Sequence, residues 1–160
     1  MANIDFPISP APGDTYSFNN SIWVYNGSAW VSTLSVTIAN AKLGNFGCVV
    51  DNTPNPITTG VKSYIAIPYS GSITSWSIFG DQSGTCVIDV WKTTYAGYPG
   101  SVANTITGGS YITLTSTTKN TSSSLGSWTT TFSAGDIFVF NVNSTSVLNK
   151  ITIIINVSKT

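Results

Sequence analysis

Arginine, glutamate and histidine are all missing from the 160-residue sequence. Its charges come from six basic and six acidic side chains, all of them Lys or Asp, so charged residues make up 8% of the chain. Ordinary soluble domains have roughly 25%. Nucleic-acid binding requires a basic surface and favours arginine, so this composition excludes it. Helices usually carry Glu, Lys and Arg on their solvent side, and the scarcity of these residues favours β structure.

The same gaps argue against an enzyme. Without His or Glu, acid–base chemistry would fall to Asp or Lys. The aspartates are scattered along the chain and lie mostly at predicted turns, whereas a glycosidase needs two carboxylates about 5 to 10 Å apart across one cleft. The sequence has neither a Gly-x-Ser-x-Gly motif nor a phosphate-binding loop. We therefore predict a non-enzymatic protein with no cofactor.

Cysteine and long apolar segments are also scarce. Cys48 and Cys86 fall on separate predicted strands, where we expect buried thiols, although a disulfide stays open if the strands face each other. Two cysteines without histidine supply too few ligands for a metal site. The longest apolar run, 153–155, has strand length and not the roughly 20 residues of a membrane helix. The N-terminus lacks the features of a signal peptide, so we predict neither membrane insertion nor export.

Residues 1–31 are predicted to form a separate module. A proline-rich lead-in over 6–14 is followed by three short strands, and Asn26-Gly27 is a strong hairpin signal between two of them. The strands are predicted at 15–18, 22–25 and 29–31. Residues 32–45 form a connector, which is either an extended linker, a strand through Leu34, Val36 and Ile38, or one helical turn over 38–43.

The module is rich in aromatic side chains: Tyr16, Phe18, Trp23, Tyr25 and Trp30. A meander this small buries little surface by itself. We therefore expect these side chains to pack on another chain or on the main domain, and we predict that they dock the protein onto a partner. The alternative is that they pack only on one another and hold the meander together.

Residues 46–160 are predicted to form the main domain. Turn residues separate segments with the composition and alternation of strands, with no helical period. The predicted strands are 46–50, 61–68, 73–79, 85–91, 110–115, 127–132, 137–142 and 151–157. Tight turns mixed with two longer connections are typical of Greek-key folds. We predict an all-β fold: an antiparallel, jelly-roll-like sandwich of about eight strands, with the small N-terminal β-meander.

Several residues of this domain are predicted to have structural roles: Trp76, Asp89, Trp128 and Asp136. The tryptophans are large apolar side chains, each with one donor that needs a partner. Asp89 lies within a strand and should pair with a lysine or with backbone amides, since burying it alone would be costly. Asp136 follows Gly135 before an apolar strand, where it should cap the turn through backbone amides.

The segment 91–100 carries a second aromatic group, comprising Trp91, Tyr95 and Tyr98. Exposed aromatics among hydroxyl groups could stack on sugars of a host surface. The preferred interpretation is that they fill a subunit interface. Apolar residues on both faces of several strands, together with few charges to protect strand edges, favour an oligomer.

Two stretches resemble a known class of proteins. Residues 6–31, with Trp23-x-Tyr25-Asn26-Gly27-x-x-Trp30, resemble a short Pro-rich module of tailed-bacteriophage structural proteins. Residues 47–157 resemble a β-domain at the C-terminus of phage fibre and appendage proteins. The matching pieces are Pro68-x-x-Gly71-x-Ile73-x-x-Trp76, Ser83-Gly84-x-x-x-x-Asp89-Val90-Trp91-Lys92, Tyr98-Pro99, Trp128 and Ala134-Gly135-Asp136-Ile137-Phe138.

The resemblance implies a virion structural protein that is a homotrimer bound to other capsid or tail proteins. No long shaft separates the two stretches, which favours a short head or tail fibre, or a capsid-decoration protein. The alternative function is that of a receptor-binding module for a host-surface carbohydrate.

Overall fold

The computed structural model describes residues 4–18, 21–33 and 42–160. The chain forms two compact units, Met1–Lys42 and Leu43–Thr160. The first contains β1 (Thr15–Phe18), β2 (Ser21–Tyr25) and β3 (Trp30–Thr33). The second contains β4 (Leu43–Asp51), β5 (Gly60–Ala66), β6 (Gly71–Thr93), a 3-10 turn (Val102–Asn104), β7 (Ile112–Ser122), β8 (Thr131–Phe132), β9 (Ile137–Thr145) and β10 (Lys150–Lys159).

The N-terminal unit is an antiparallel sheet in the order β1-β2-β3. The turn between β2 and β3 is set by Asn26, whose Oδ1 accepts hydrogen bonds from the amides of Ser28 and Ala29. Gly27 follows with φ +97°, a conformation that favours glycine. The predicted meander is confirmed. The three interpretations of the connector, an extended linker, a strand through Leu34, Val36 and Ile38 or a helical turn, concern mainly residues 34–41, which lie outside the described residues. The end of the connector, from Leu43, belongs to β4.

The C-terminal unit is a single curled antiparallel sheet in the order β4-β10-β6-β9-β5, with β7 and β8 also paired to β6. Its two end strands, β4 and β5, approach each other, with Cys48 of β4 beside Ser63 of β5. The all-β sandwich that the sequence predicts is confirmed. None of the described residues belongs to a helix with the length and hydrophobicity of a membrane span.

The break that the sequence predicts between strands 73–79 and 85–91, at Gly80 and Asp81, is wrong. The two strands expected at 73–79 and 85–91 are one strand, β6, which runs over 23 residues. β10 pairs with its first half and β9 with its second. The reason lies in Leu148: its side chain would be 2.8 Å from a Cβ at Gly80 and 2.7 Å from one at Gly84. Both glycines let the strand pass over this buried side chain without turning back.

The core fills the inside of the curled sheet. Alternate side chains of β10 point inward, and β6 and β9 contribute the other large buried groups. The most deeply buried include Ile78, Ile88, Phe138, Phe140, Ile151, Ile153 and Ile155. Burying side chains of this size contributes about 1.5 to 3 kcal/mol each, so this cluster dominates the stability of the unit.

The two outer surfaces of the sheet differ. We define the open face as the outward side of β4, β10, the first half of β6 and the end of β7. The covered face is the outward side of the second half of β6 and of β9. Segment 94–107 lies against the covered face: Gly100 is close to Thr93, and the Tyr98 ring packs on Tyr64 of β5. Val139 is completely buried there.

Candidate functional site

The strongest polar constellation is the carboxylate of Asp89 on the covered face. Asp89 is only 2% exposed. Its Oδ2 accepts a hydrogen bond from Trp91 Nε1 at 2.8 Å. Its Oδ1 accepts hydrogen bonds from Thr105 Oγ1 and Thr107 Oγ1, each at 2.7 Å. A buried carboxylate is tolerated only where donors replace its lost hydration, and three donors do so here.

Two of these donors, Thr105 and Thr107, come from segment 94–107, so the carboxylate holds that segment against the sheet. Backbone pairing supports the same attachment: Ile106 N donates to Val90 O at 2.9 Å, and Thr105 bridges to Trp91. Ile106 then points into the core, which leaves Thr105 and Thr107 on the outward side beside Asp89. Asp89 therefore anchors a loop, and its oxygens are already occupied.

The sequence predicts a lysine or backbone amides as partners of Asp89, and the donors are instead an indole and two hydroxyls. Lys92 is three positions away on the same strand, so it points to the opposite face. Its Nζ donates to Thr131 O at 2.7 Å and lies 3.6 Å from Asp136 Oδ2. The threonines could not be identified from the sequence, because only the tertiary fold brings segment 105–107 beside β6.

The structure separates the three aromatic residues predicted for segment 91–100. Trp91 is buried, and its donor is occupied by Asp89. Tyr95 is 90% exposed, and Tyr98 is also exposed. The Tyr98 ring lies 4.9 Å from that of Tyr64, which is exposed on β5. The surface that could contact a ligand thus comprises Tyr64, Tyr95 and Tyr98, and sequence reasoning missed Tyr64 because it lies far away in the chain.

The remaining predicted structural residues are buried or hydrogen-bonded. Trp76 and Trp128 belong to the core cluster, and Trp128 Nε1 donates to Ser110 O. Asp136 Oδ2 accepts the amide of Ser133 at 2.9 Å, in the turn before β9. Together with its contact to Lys92, this bond commits the Asp136 carboxylate to the local structure.

The aromatic side chains of the N-terminal unit form a cluster around Phe6. The Phe6 ring lies 5.5, 5.2 and 5.3 Å from the rings of Tyr16, Trp23 and Trp30, and Tyr25 contacts Trp30 at 5.6 Å. Sequence reasoning did not include Phe6, which precedes the strands. The side chains thus pack on one another, as in the alternative interpretation, but none of the residues described in 4–18 and 21–32 is buried. Phe18, the fifth predicted residue, is half-buried.

Cys48 and Cys86 are free thiols. Burial raises the pKa of each thiol to about 11. They are therefore protonated and weakly nucleophilic near neutral pH. Among the residues that the structure describes, no three metal-ligating side chains lie close enough to hold an ion.

No protein-family model, curated protein or solved structure matches this chain. The resemblance to phage structural proteins therefore stays a prediction from its motifs.

Proposed function

We propose that this chain is a non-enzymatic structural protein of a tailed-phage virion. It would be a short head or tail fibre, or a capsid-decoration protein, made in the host cytoplasm and incorporated into the particle. In this proposal the N-terminal unit docks on other capsid or tail proteins, and the C-terminal unit associates with further copies as a homotrimer.

The observation that carries the proposal is the state of the N-terminal aromatic cluster. Five rings centred on Phe6 pack together, yet none of the residues described around them is buried. Half-exposed aromatic side chains are enriched at protein interfaces, because they bury large areas at low entropic cost. A separate compact unit with such a cluster suits attachment to a partner.

The carboxylates of the C-terminal unit favour a structural role. Asp89 accepts three side-chain hydrogen bonds, and Asp136 is committed to its turn and to Lys92. Asp51 pairs with Lys150 at 2.8 Å. Each of these groups has a local partner, so none is poised for the acid–base work that hydrolysis requires.

Deletion of residues 1–31 tests the docking role. The truncated chain should keep the β-rich circular dichroism spectrum of the C-terminal unit and its oligomeric mass, because that unit has its own core. It should no longer be found in purified particles, whereas the full-length chain should be. A truncated chain that enters particles as efficiently as the full-length chain would show that the docking assignment is wrong.

Binding of a host-surface carbohydrate is the second candidate function. Tyr98 is exposed beside Tyr64, and Tyr95 is exposed on the same loop, which the buried Asp89 holds in place. Rings held this way can stack on sugar faces at little entropic cost. The double variant Tyr95→Ala/Tyr98→Ala should then reduce adsorption of particles to host cells, and Tyr111→Ala, at another exposed tyrosine, should not. Normal adsorption by the double variant would exclude this function.

A further inference from the structure

The open face of the C-terminal unit has features of a protein interface. β10 lies between β4 and β6, and its outward side chains Thr152, Ile154 and Asn156 face outward residues of both neighbours. Rows of side chains therefore cross the sheet, such as Val49–Thr152–Phe79 and Gly47–Ile154–Ser77. β7 extends these rows with Lys119 and Thr121.

Exposed apolar side chains stand on these rows. Leu43 is 63%, Val49 58% and Phe79 44% exposed. Ile154, between them on β10, is half-buried. Large apolar groups grouped on one face, and not scattered singly, mark interaction surfaces.

Depressions lie beside these apolar side chains. One lies between β4 and β10 and is lined by Gly47, Val49 and Ile154. Another lies beside Phe79 and is bounded by Ser77, Lys119 and Thr121. Protrusions next to hollows allow shape complementarity with an equally textured surface.

The charge pattern of the open face suits contact between identical chains. Around a symmetry axis the same residues of different copies come close together, so an unpaired charge near the centre would repel its own equivalent. The centre of this face carries only apolar, hydroxyl and amide side chains and glycine. Its charges lie toward the edges: Lys119 on β7 opposite Phe79, Asp81 two residues beyond Phe79 on β6, and Asp51 and Lys150, which neutralise each other at 2.8 Å.

The size of the face is sufficient for a specific contact. β4 and β10 pair over nine residues, and the face is four strands wide at its widest. At about 3.3 Å per residue and about 4.8 Å between strands, the three long strands measure roughly 30 by 14 Å, and the end of β7 adds about 60 Å², which gives about 490 Å² in all. Two such surfaces bury about 1,000 Å², the area that a biological interface needs.

We infer that further copies of this chain pack on the open face, with Phe79 and Val49 as the main apolar contacts. This inference deepens the proposed function and rests on its claim that the C-terminal unit self-associates. The covered face is not the contact surface in this arrangement, because segment 94–107 already occupies it.

The variant Phe79→Asp tests the inference in the full-length chain. Multi-angle light scattering should give the wild-type chain an oligomeric mass, near 51 kDa for three chains of 16.9 kDa. Phe79→Asp places repelling charges at the contact and should lower the mass to that of one chain, a threefold change for a trimer. Val102→Asp is the matched control: Val102 is 67% exposed in the segment over the covered face, and this variant should keep the wild-type mass.

Val49→Lys provides an independent second variant on β4, for the case in which Phe79→Asp fails to fold. A monomeric wild-type chain would overturn the inference, and so would folded Phe79→Asp and Val49→Lys variants that keep the oligomeric mass.

Incorporation into particles distinguishes a failure of this inference from a failure of the proposed function. If Phe79→Asp and Val49→Lys remain oligomeric and still enter particles, only the assignment of the open face as the contact surface is contradicted. A wild-type oligomer that the variants dissociate, but that never enters particles, contradicts only the virion role.

Discussion

Replacing Asp89 with asparagine should destabilise the C-terminal unit by about 3 kcal/mol. The carboxylate accepts bonds from one indole and two hydroxyl donors, at 2.7 to 2.8 Å. Hydrogen bonds to a charged group contribute about 1.5 to 3 kcal/mol each, and neutral ones about 0.5 to 1.5. Losing the charge therefore costs about 1 kcal/mol per bond.

The asparagine amide cannot restore this arrangement. If its oxygen keeps Thr105 and Thr107, its NH₂ group faces the Nε1–H of Trp91, and two donors meet in a buried site. If it is flipped, the oxygen accepts from the indole and the two hydroxyls must rotate to become acceptors. The first orientation leaves a buried donor without an acceptor, which costs about 1 to 3 kcal/mol. Both orientations are thus less stable than the wild type.

Urea unfolding followed by tryptophan fluorescence measures this loss, because Trp76, Trp91 and Trp128 all lie in the C-terminal unit. With a urea dependence of about 1.5 kcal/mol per molar, a loss of 3 kcal/mol lowers the midpoint by about 2 M. Asp51→Asn is the matched control, since it removes an exposed carboxylate and should leave the midpoint almost unchanged. A midpoint for Asp89→Asn within about 0.3 M of the wild type would refute the anchoring role of Asp89.

Two further variants test the packing of the C-terminal unit. Burial raises the pKa of Cys48 and Cys86 to about 11, so the unit should be most stable while both thiols are protonated. Its free energy of unfolding should fall as the pH rises from about 9 toward 11, and the double variant Cys48→Ser/Cys86→Ser should lose that part of the pH dependence in urea titrations at pH 8 and 10.5. Gly84→Ala should cost about 1 to 3 kcal/mol, because its methyl group would lie 2.7 Å from Leu148 Cγ. The nearby Ser83→Ala should have almost no effect, and equal midpoints for these two alanine variants would contradict the packing account.

The strands could be predicted from the sequence where one face is buried and the other is not. β10 is the clearest case, since Ile151, Ile153 and Ile155 alternate with residues that face outward. The course of β6 could not be predicted in the same way. Gly80 next to Asp81 has the composition of a turn, and only the position of Leu148 shows why the strand continues.

The candidate sites depend even more on contacts between distant parts of the chain. Asp89 could be recognised as a buried carboxylate, but its threonine donors are 16 and 18 residues away. The sequence does not distinguish Trp91 from its exposed tyrosine neighbours, although Trp91 is buried on the covered face, where Thr105 pairs with it. Phe6 precedes the meander within a proline-rich segment, so no strand period indicated that it would lie among the aromatic rings of the N-terminal unit.

The central claim is that this chain is part of a phage particle. It is tested most directly by mass spectrometry of phage particles that are purified on a density gradient from a lysate containing the chain. The account predicts that the full-length chain is a stoichiometric component that stays with the particles through purification. A chain that is abundant in the lysate but absent from the purified particles would contradict the account.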